Sequence, residues 1–219
     1  QGEGVLVGRR QVFVRLAGCS FGCRYCDQPE ARSPAAAARV EKEPGSGRFV
    51  EMPNPVPPAD AARCVQELWG PAGLHHSISI TGGEPLEQIG FLENLLALTA
   101  SAGRDVMLET NGVDADALRR VIGLVRYVAM DYKLASATGV PAPAQAHRRF
   151  LSIARRGEVF VKMVVTAVTK SDEVEEAASL IAAEDARVPL VIQPVTERPG
   201  GPAPPDSRDL LRLHAAAAR

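Results

Sequence analysis

Three of the four cysteines fall within eight residues: Cys19-Ser20-Phe21-Gly22-Cys23-Arg24-Tyr25-Cys26. Spacings of three and then two residues put three thiols on one short stretch. This is not a disulfide framework, which would spread an even number of cysteines over a short secreted chain. Three thiolates leave a four-coordinate zinc site one ligand short. They suit three irons of a four-iron cluster, with the fourth iron open to a substrate or cofactor. A non-catalytic zinc module would need His75, His76 or Cys64 to complete it, and no second ligand pair stands at zinc spacing. Cys64 shares a helical pattern with Val65, Leu68 and Trp69 and reads as core. His147 and His214 fall on helical patterns with no partner ligand nearby. A reduced thiol triplet points to a cytoplasmic protein.

Two further groups have chemical capacity. In Thr81-Gly82-Gly83-Glu84-Pro85 the paired glycines allow close backbone approach and offer bare carbonyl acceptors to an ammonium. By itself this stretch is an ordinary turn. Arg15, four residues before Cys19, carries a planar fork of donors suited to a carboxylate.

The elements that must position these groups alternate along the chain. Strand patterns occur at Val12–Leu16, Ser77–Thr81, Val106–Thr110, Tyr127–Lys133, Val159–Thr166 and Leu190–Val195. Their nearly continuous apolar character suits strands buried on both faces of a parallel sheet. Helical patterns cover Ala59–Trp69, Leu86–Ala102, Asp114–Ile122, Ala144–Arg156, Ser171–Glu184 and a last segment from Asp206. Ser171 opens an acidic first turn, and Asp206 is placed to cap the last helix. Repeated strand–helix units predict an α/β fold of one domain over residues 1–219, a partial barrel of six parallel strands. In such folds ligands gather at the carboxyl ends of the strands, where the cysteine stretch begins. Residues 31–58, rich in Ala, Pro, Gly and charge, read as an inserted loop. Residues 199–205 read as a stiff Pro/Gly-rich connector.

Composition excludes several classes. The 219 residues carry 25 Lys+Arg and 26 Asp+Glu, a net charge of −1, so no bulk field favours nucleic acid or an anionic membrane. A 46% hydrophobic and 23% charged chain is ordinary for a folded globular protein. No apolar run approaches the roughly 20 residues that a membrane helix needs.

The spacing Cys-x3-Cys-x2-Cys, with Tyr25 before the last Cys, resembles the cluster loop of the radical S-adenosylmethionine (SAM) superfamily. Gly82-Gly83-Glu84-Pro85 resembles that superfamily's glycine-glutamate-proline motif, which contacts the SAM amine. Within the superfamily the chain is similar to the 7-carboxy-7-deazaguanine synthase family along nearly its whole length. The similarity is carried by Gln1-Gly2-Glu3-Gly4, Gly8-Arg9, Val12 to Cys19, Glu109-Thr110-Asn111-Gly112, Met130-Asp131-Tyr132-Lys133 and Gln193-Pro194. Other small radical SAM enzymes, glycyl-radical activases or peptide-modifying enzymes, are the alternative that the cysteine motif alone leaves open.

The resemblance implies a carbon–nitrogen lyase of queuosine (7-deazapurine) biosynthesis. It converts 6-carboxy-5,6,7,8-tetrahydropterin to 7-carboxy-7-deazaguanine by radical ring contraction with loss of ammonia. Cys19, Cys23 and Cys26 would ligate a 4Fe-4S cluster. Tyr25, Cys26, Asp27, Gly83, Ser136 and Gln193 would line SAM. Gln1, Gly2, Glu3, Arg15 and Thr81 would bind the pterin, with Glu3 and Arg15 acting at the reacting end and Arg15 on the carboxylate. An external one-electron donor of flavodoxin or ferredoxin type is implied; a homodimer is the assembly considered. Gln28 departs from the family, which has Thr after Cys-Asp as a Mg²⁺ ligand. Gln28 either ligates a shifted Mg²⁺ through its carbonyl oxygen or replaces the ion by donating directly to the substrate carboxylate.

Overall fold

The computed structural model describes residues 2–71 and 73–218. In chain order it forms β1 (Gln11–Leu16), β2 (Ala37–Glu41), β3 (Phe49–Pro53), α1 (Pro58–Trp69), β4 (Ser77–Gly82), α2 (Ile89–Ser101), β5 (Val106–Thr110) and α3 (Ala115–Val121). There follow β6 (Tyr127–Tyr132), α4 (Ala135–Thr138), α5 (Ala144–Ala154), β7 (Glu158–Val165), α6 (Ser171–Asp185), β8 (Leu190–Pro194) and α7 (Ser207–Ala217).

Six strands form one parallel sheet in the order β1-β4-β5-β6-β7-β8. Each crossover steps one place in the same direction. Right-handed crossovers then lay successive helices on the same face, so the sheet curls into a partial barrel instead of a doubly wound layer. β1 and β8 are its two free edges.

Period-two alternation assigns the strand faces. Outward residues such as Ile78, Ile80, Leu108, Val128, Met130, Val161 and Met163 pack with Leu92, Leu95, Leu118, Phe150 and Val174 of the helices into the main core. Inward residues Met107, Tyr127, Ala129 and Phe160 form a second, smaller cluster around Leu6. The segment before β1 therefore fills the barrel's lower interior. The six expected strands and six main helices are all present, with ends moved by a few residues. The expected helix from Leu86 begins instead as a 3-10 turn, Pro85–Gln88, because the Glu84 carboxylate accepts from the Leu86 N–H and Pro85 starts the turn.

The inserted-loop reading of residues 31–58 needs correction. After a 3-10 turn over Pro29–Arg32, the chain pairs β2 with β3 as an antiparallel hairpin. Short strands of mixed character, Ala-Ala-Arg-Val-Glu and Phe-Val-Glu-Met-Pro, lie on either side of Pro44-Gly45-Ser46-Gly47, a turn signal hidden by the surrounding Pro and Ala. Between this hairpin, α1 and the free edge of β1 runs a groove of about 1280 Å³. Cys64 lines it, half-buried, with its Sγ 3.8 Å from Met52 Sδ, and so is not a core residue. Its helix buries Val65 instead.

Candidate functional site

The cysteine loop leaves the carboxyl end of β1 and is stitched to the end of β4. Gly18 N–H donates to Ala31 O (2.7 Å), Gly83 N–H to Leu16 O (2.8 Å) and Glu84 N–H to Gly18 O (2.7 Å). A Cβ on Gly83 would collide with the carbonyl oxygens of Gly18 and Ala31. Gly83 is thus a glycine because it lies against the cysteine loop. Glu84 is buried and accepts from Leu86 N, Thr110 Oγ1 (2.8 Å) and Asn111 N (2.7 Å). It ties the ends of β4 and β5 together; burial pushes its carboxyl up to about 7.

Cys19, Cys23 and Cys26 are free thiols, each partly exposed, and the charges of Cys19 and Cys26 are felt at Cys23. Burial pushes the Cys19 and Cys23 thiols up. A thiol raised in this way becomes a thiolate most readily when a metal supplies compensating charge. Two arginines brace the loop from outside: Arg32 Nη2 donates to Cys23 O (2.6 Å) and Arg198 Nη1 to Asp27 O (2.7 Å). The residues weighed as completing a zinc site are engaged elsewhere. His75 is held by Arg10 and the Trp69 carbonyl, and Cys64 faces the groove.

Below the loop, the inner faces of β1, β4, β5, β6 and β7 end in polar residues. Arg15 stands in register with Thr81, whose hydroxyl donates to Glu109 Oε2 (2.6 Å). Glu109 is hydrogen-bonded to Glu3, Glu3 is paired with Lys162, and Lys162 Nζ lies 3.1 Å from Asp131 Oδ1. Lys133 Nζ closes the row, 2.7 Å from Asp131 Oδ2 and 3.2 Å from the Tyr25 hydroxyl. Burial, and then the neighbouring Glu3, push the Glu109 carboxyl up to about 8. Burial alone would raise Asp131 too, but Lys133 and Lys162 outweigh it and hold that carboxyl down at about 2. Burial would depress both lysines, and their carboxylate neighbours instead raise them. Arg15 is exposed and makes no hydrogen bond or ion pair among the described residues. The mouth therefore offers one free fork of donors, suited to an anionic group, and beside it a Glu3 carboxylate held between protonated Glu109 and Lys162.

The Glu109 proton has a measurable consequence. A carboxyl at about 8 in the folded chain and 4.5 in the unfolded one contributes stability that is complete below about pH 4.5. That contribution is lost as pH rises through 8. In Glu109→Gln the neutral amide removes this term. The variant should gain on the parent chain between pH 5 and 8 in denaturant unfolding. A constant difference across that range would place the proton elsewhere.

The residues singled out from sequence are distributed as follows. Thr81 is linked to Glu3 through Glu109, and Arg15 stands in register with Thr81 on the edge strand, where it also lines the groove; Gly2 begins the segment that carries Glu3. Gln1 lies outside the described residues. Tyr25 roofs the mouth through Lys133. The Asp27 carbonyl is already taken by Arg198. Ser136 donates its N–H to Glu173 (3.0 Å) and its hydroxyl to Thr169 (3.2 Å). Gln193 stands on β8 beside Val164 of the inner face. The Gln28 backbone carbonyl accepts from Ala31, while its side chain makes no hydrogen bond among the described residues. The sequence reading missed Glu109, Asp131, Lys133 and Lys162 as members of the site. The available signal was a charge at an inward position of an otherwise apolar strand, as in Val-Phe-Val-Lys162-Met-Val-Val.

Comparison with known proteins agrees with this architecture. The sequence profile of the radical SAM superfamily matches residues 14–138, from β1 through α4. A 7-carboxy-7-deazaguanine synthase of Geobacter sulfurreducens is 43% identical over 198 residues, 90% of this chain and 78% of the relative. One of Thermococcus kodakarensis is 38% identical, covering 88% and 77%, and one of Methanothermobacter thermautotrophicus is 34% identical, covering 89% and 78%. Cysteine loop, partial barrel and sequence likeness together make this chain a member of the radical SAM superfamily and, within it, of the 7-carboxy-7-deazaguanine synthase family.

Proposed function

We propose that the chain converts 6-carboxy-5,6,7,8-tetrahydropterin to 7-carboxy-7-deazaguanine with release of ammonia, in the cytoplasm. The observation that carries this reading is the barrel mouth. It sets an unpaired guanidinium (Arg15) in register with Thr81, and links Thr81 through Glu109 to a carboxylate (Glu3), beneath three thiols. Cys19, Cys23 and Cys26 hold the 4Fe-4S cluster, and Tyr25, Cys26, Asp27, Gly83, Ser136 and Gln193 line SAM. When bound, the cluster and SAM supply a one-electron cleavage that yields an organic radical able to take hydrogen from carbon.

The chain's own side chains do the rest. Arg15 forks onto the substrate carboxylate. Glu3 accepts from the guanidine-like edge of the pterin. Thr81, whose hydroxyl donates to Glu109 and keeps an acceptor lone pair, and Glu109, whose carboxyl keeps its proton to about pH 8, stand beside it. The buried Lys162–Asp131–Lys133 row holds these groups in place and leaves little room for water. The electron arrives from a flavodoxin- or ferredoxin-like donor. Incubation of the reconstituted protein with SAM, reductant and the carboxypterin, with products read by mass spectrometry, tests the assignment. SAM cleavage without a deazaguanine product would refute it.

Gln28 makes this site differ from a Thr-containing one. A Thr oxygen lies close to the main chain, whereas the Gln amide oxygen lies two bonds further out and is accompanied by donors that repel a cation. Mg²⁺ holds octahedral ligands at about 2.0–2.1 Å and tolerates misplacement poorly. The Gln28 amide, without a hydrogen-bond partner among the described residues, donates directly to the substrate carboxylate. Turnover after chelation should rise by well under tenfold on adding Mg²⁺, and Gln28→Thr should create a dependence. A tenfold stimulation of the parent protein, about 1.4 kcal/mol of the activation barrier, would restore a metal beside Gln28.

A further inference from the structure

Lys133 sits between the polar row and the cysteine loop. Its side chain is 8% exposed. Its ammonium donates to the Tyr25 hydroxyl at 3.2 Å and lies 5.3 Å from the centre of the Tyr25 ring. Tyr25 immediately precedes Cys26 and follows Cys23 by two residues. A cation is thereby fixed at the underside of the cysteine loop. Its other anchor is Asp131, at 2.7 Å.

Adding an electron to a cluster on this loop adds negative charge to a partly desolvated site. The groups that face it decide the cost. Lys133 and Lys162 are positive, Glu3 and Asp131 negative, and Glu109 keeps its proton to about pH 8. The row is near neutral with Lys133 and carries a net negative charge without it. Glu84 and Glu87, on the other side of the loop, are felt at Cys19 as negative charges. Lys133 is the positive charge felt at both Cys19 and Cys23. Net charge and polar groups around the sulfurs are established levers on cluster potential.

We propose that Lys133, clamped between Asp131 and Tyr25, is a positioning residue that raises the reduction potential of the cluster held by Cys19, Cys23 and Cys26. It acts before any substrate binds. The inference rests on the cysteines holding a cluster, and needs neither the pterin nor the ring contraction.

The test uses reconstituted protein without SAM or substrate, and follows the reduced cluster by electron paramagnetic resonance during a redox titration. Lys133→Met keeps the length of the side chain and removes the charge; Lys133→Arg keeps the charge. At the potential where half the parent clusters are reduced, Lys133→Met should show about tenfold less reduced relative to oxidised cluster. For a one-electron couple that is a shift of about 59 mV to more negative potential. Lys133→Arg should stay within twofold of the parent. Tyr25→Phe, which removes one anchor of the ammonium, should shift in the same direction by less. Iron and sulfide content is measured on every sample. Full loading of Lys133→Met with an unchanged midpoint overturns the proposal. So does failure of Lys133→Met to load iron when Lys133→Gln also fails, since Lys133 would then be needed for assembly and not for potential. A parent protein that holds no cluster would instead overturn the assignment of the cysteines.

Discussion

Replacing any one of Cys19, Cys23 or Cys26 by alanine abolishes iron loading and SAM cleavage, while Cys64→Ala leaves both at the parent level. Two thiolates cannot retain a cluster designed around three, and the loop has no spare ligand. His75 is engaged by Arg10 and Trp69, and Cys64 faces the groove on the far side of β1. The expected loss is complete in practice, from about four iron per chain to background. Iron and sulfide analysis after anaerobic reconstitution checks it, together with the product of SAM cleavage. Circular dichroism should show the sheet intact, because the three thiols are partly exposed and contribute little to the core. Full iron in any of the three variants would remove that cysteine from the ligand set.

The second large effect is at Arg15. Its guanidinium lies on the edge strand in register with Thr81, without a hydrogen bond or ion pair among the described residues. A structural salt bridge is therefore not what the residue provides. Arg15→Lys keeps the charge but replaces a bidentate fork by a point donor, a loss on the order of 1.5–3 kcal/mol for a charged hydrogen bond. Substrate affinity should fall roughly 10- to 100-fold. Cleavage of SAM in the absence of pterin should be spared, since none of the groups proposed for SAM involves Arg15. Isothermal titration with the carboxypterin separates the two. Unchanged affinity would show that the carboxylate is held elsewhere. Thermal stability should not change, as an exposed, unpaired side chain contributes little to it.

The fold was largely legible because its strands announce themselves. Val159-Phe160-Val161 is apolar on both faces, as interior parallel strands are, and Leu190-Val191-Ile192 carries the same run although β8 is an edge of the sheet and only half-buried. The cysteine loop was legible because three thiols at fixed spacing have few uses. The hairpin β2–β3 was hidden, since neither strand buries a face. All ten of its residues are exposed or half-buried, so no apolar alternation marks them. Lys162, Asp131, Lys133 and Glu109 were hidden for a different reason. Each is one charge in a strand, and what makes it part of a site is its neighbour in the next strand. Lys162 meets Asp131 through the β6–β7 register, and meets Glu3 across 159 positions of sequence. No local pattern encodes such a meeting. Cys64 misled because a helix position beside Val65 and Leu68 is usually core; here the helix has the hairpin groove on one side.

The pairing of Glu3 with Lys162 also bears on how the chain acquires its shape. A contact between the first strand's leading segment and the fifth strand of the sheet gives the site a high contact order, and such contacts form late. During synthesis the cysteine loop leaves the ribosome well over a hundred residues before Lys162. At about 5–20 residues per second this interval is on the order of ten seconds. For that time the inward faces of β1 and β4 have no β7 to close against, and the thiols stand on an unfinished rim. The order of assembly is thus built into the topology: the cysteine loop is made first, and the charged row beneath it is completed only when the seventh strand arrives.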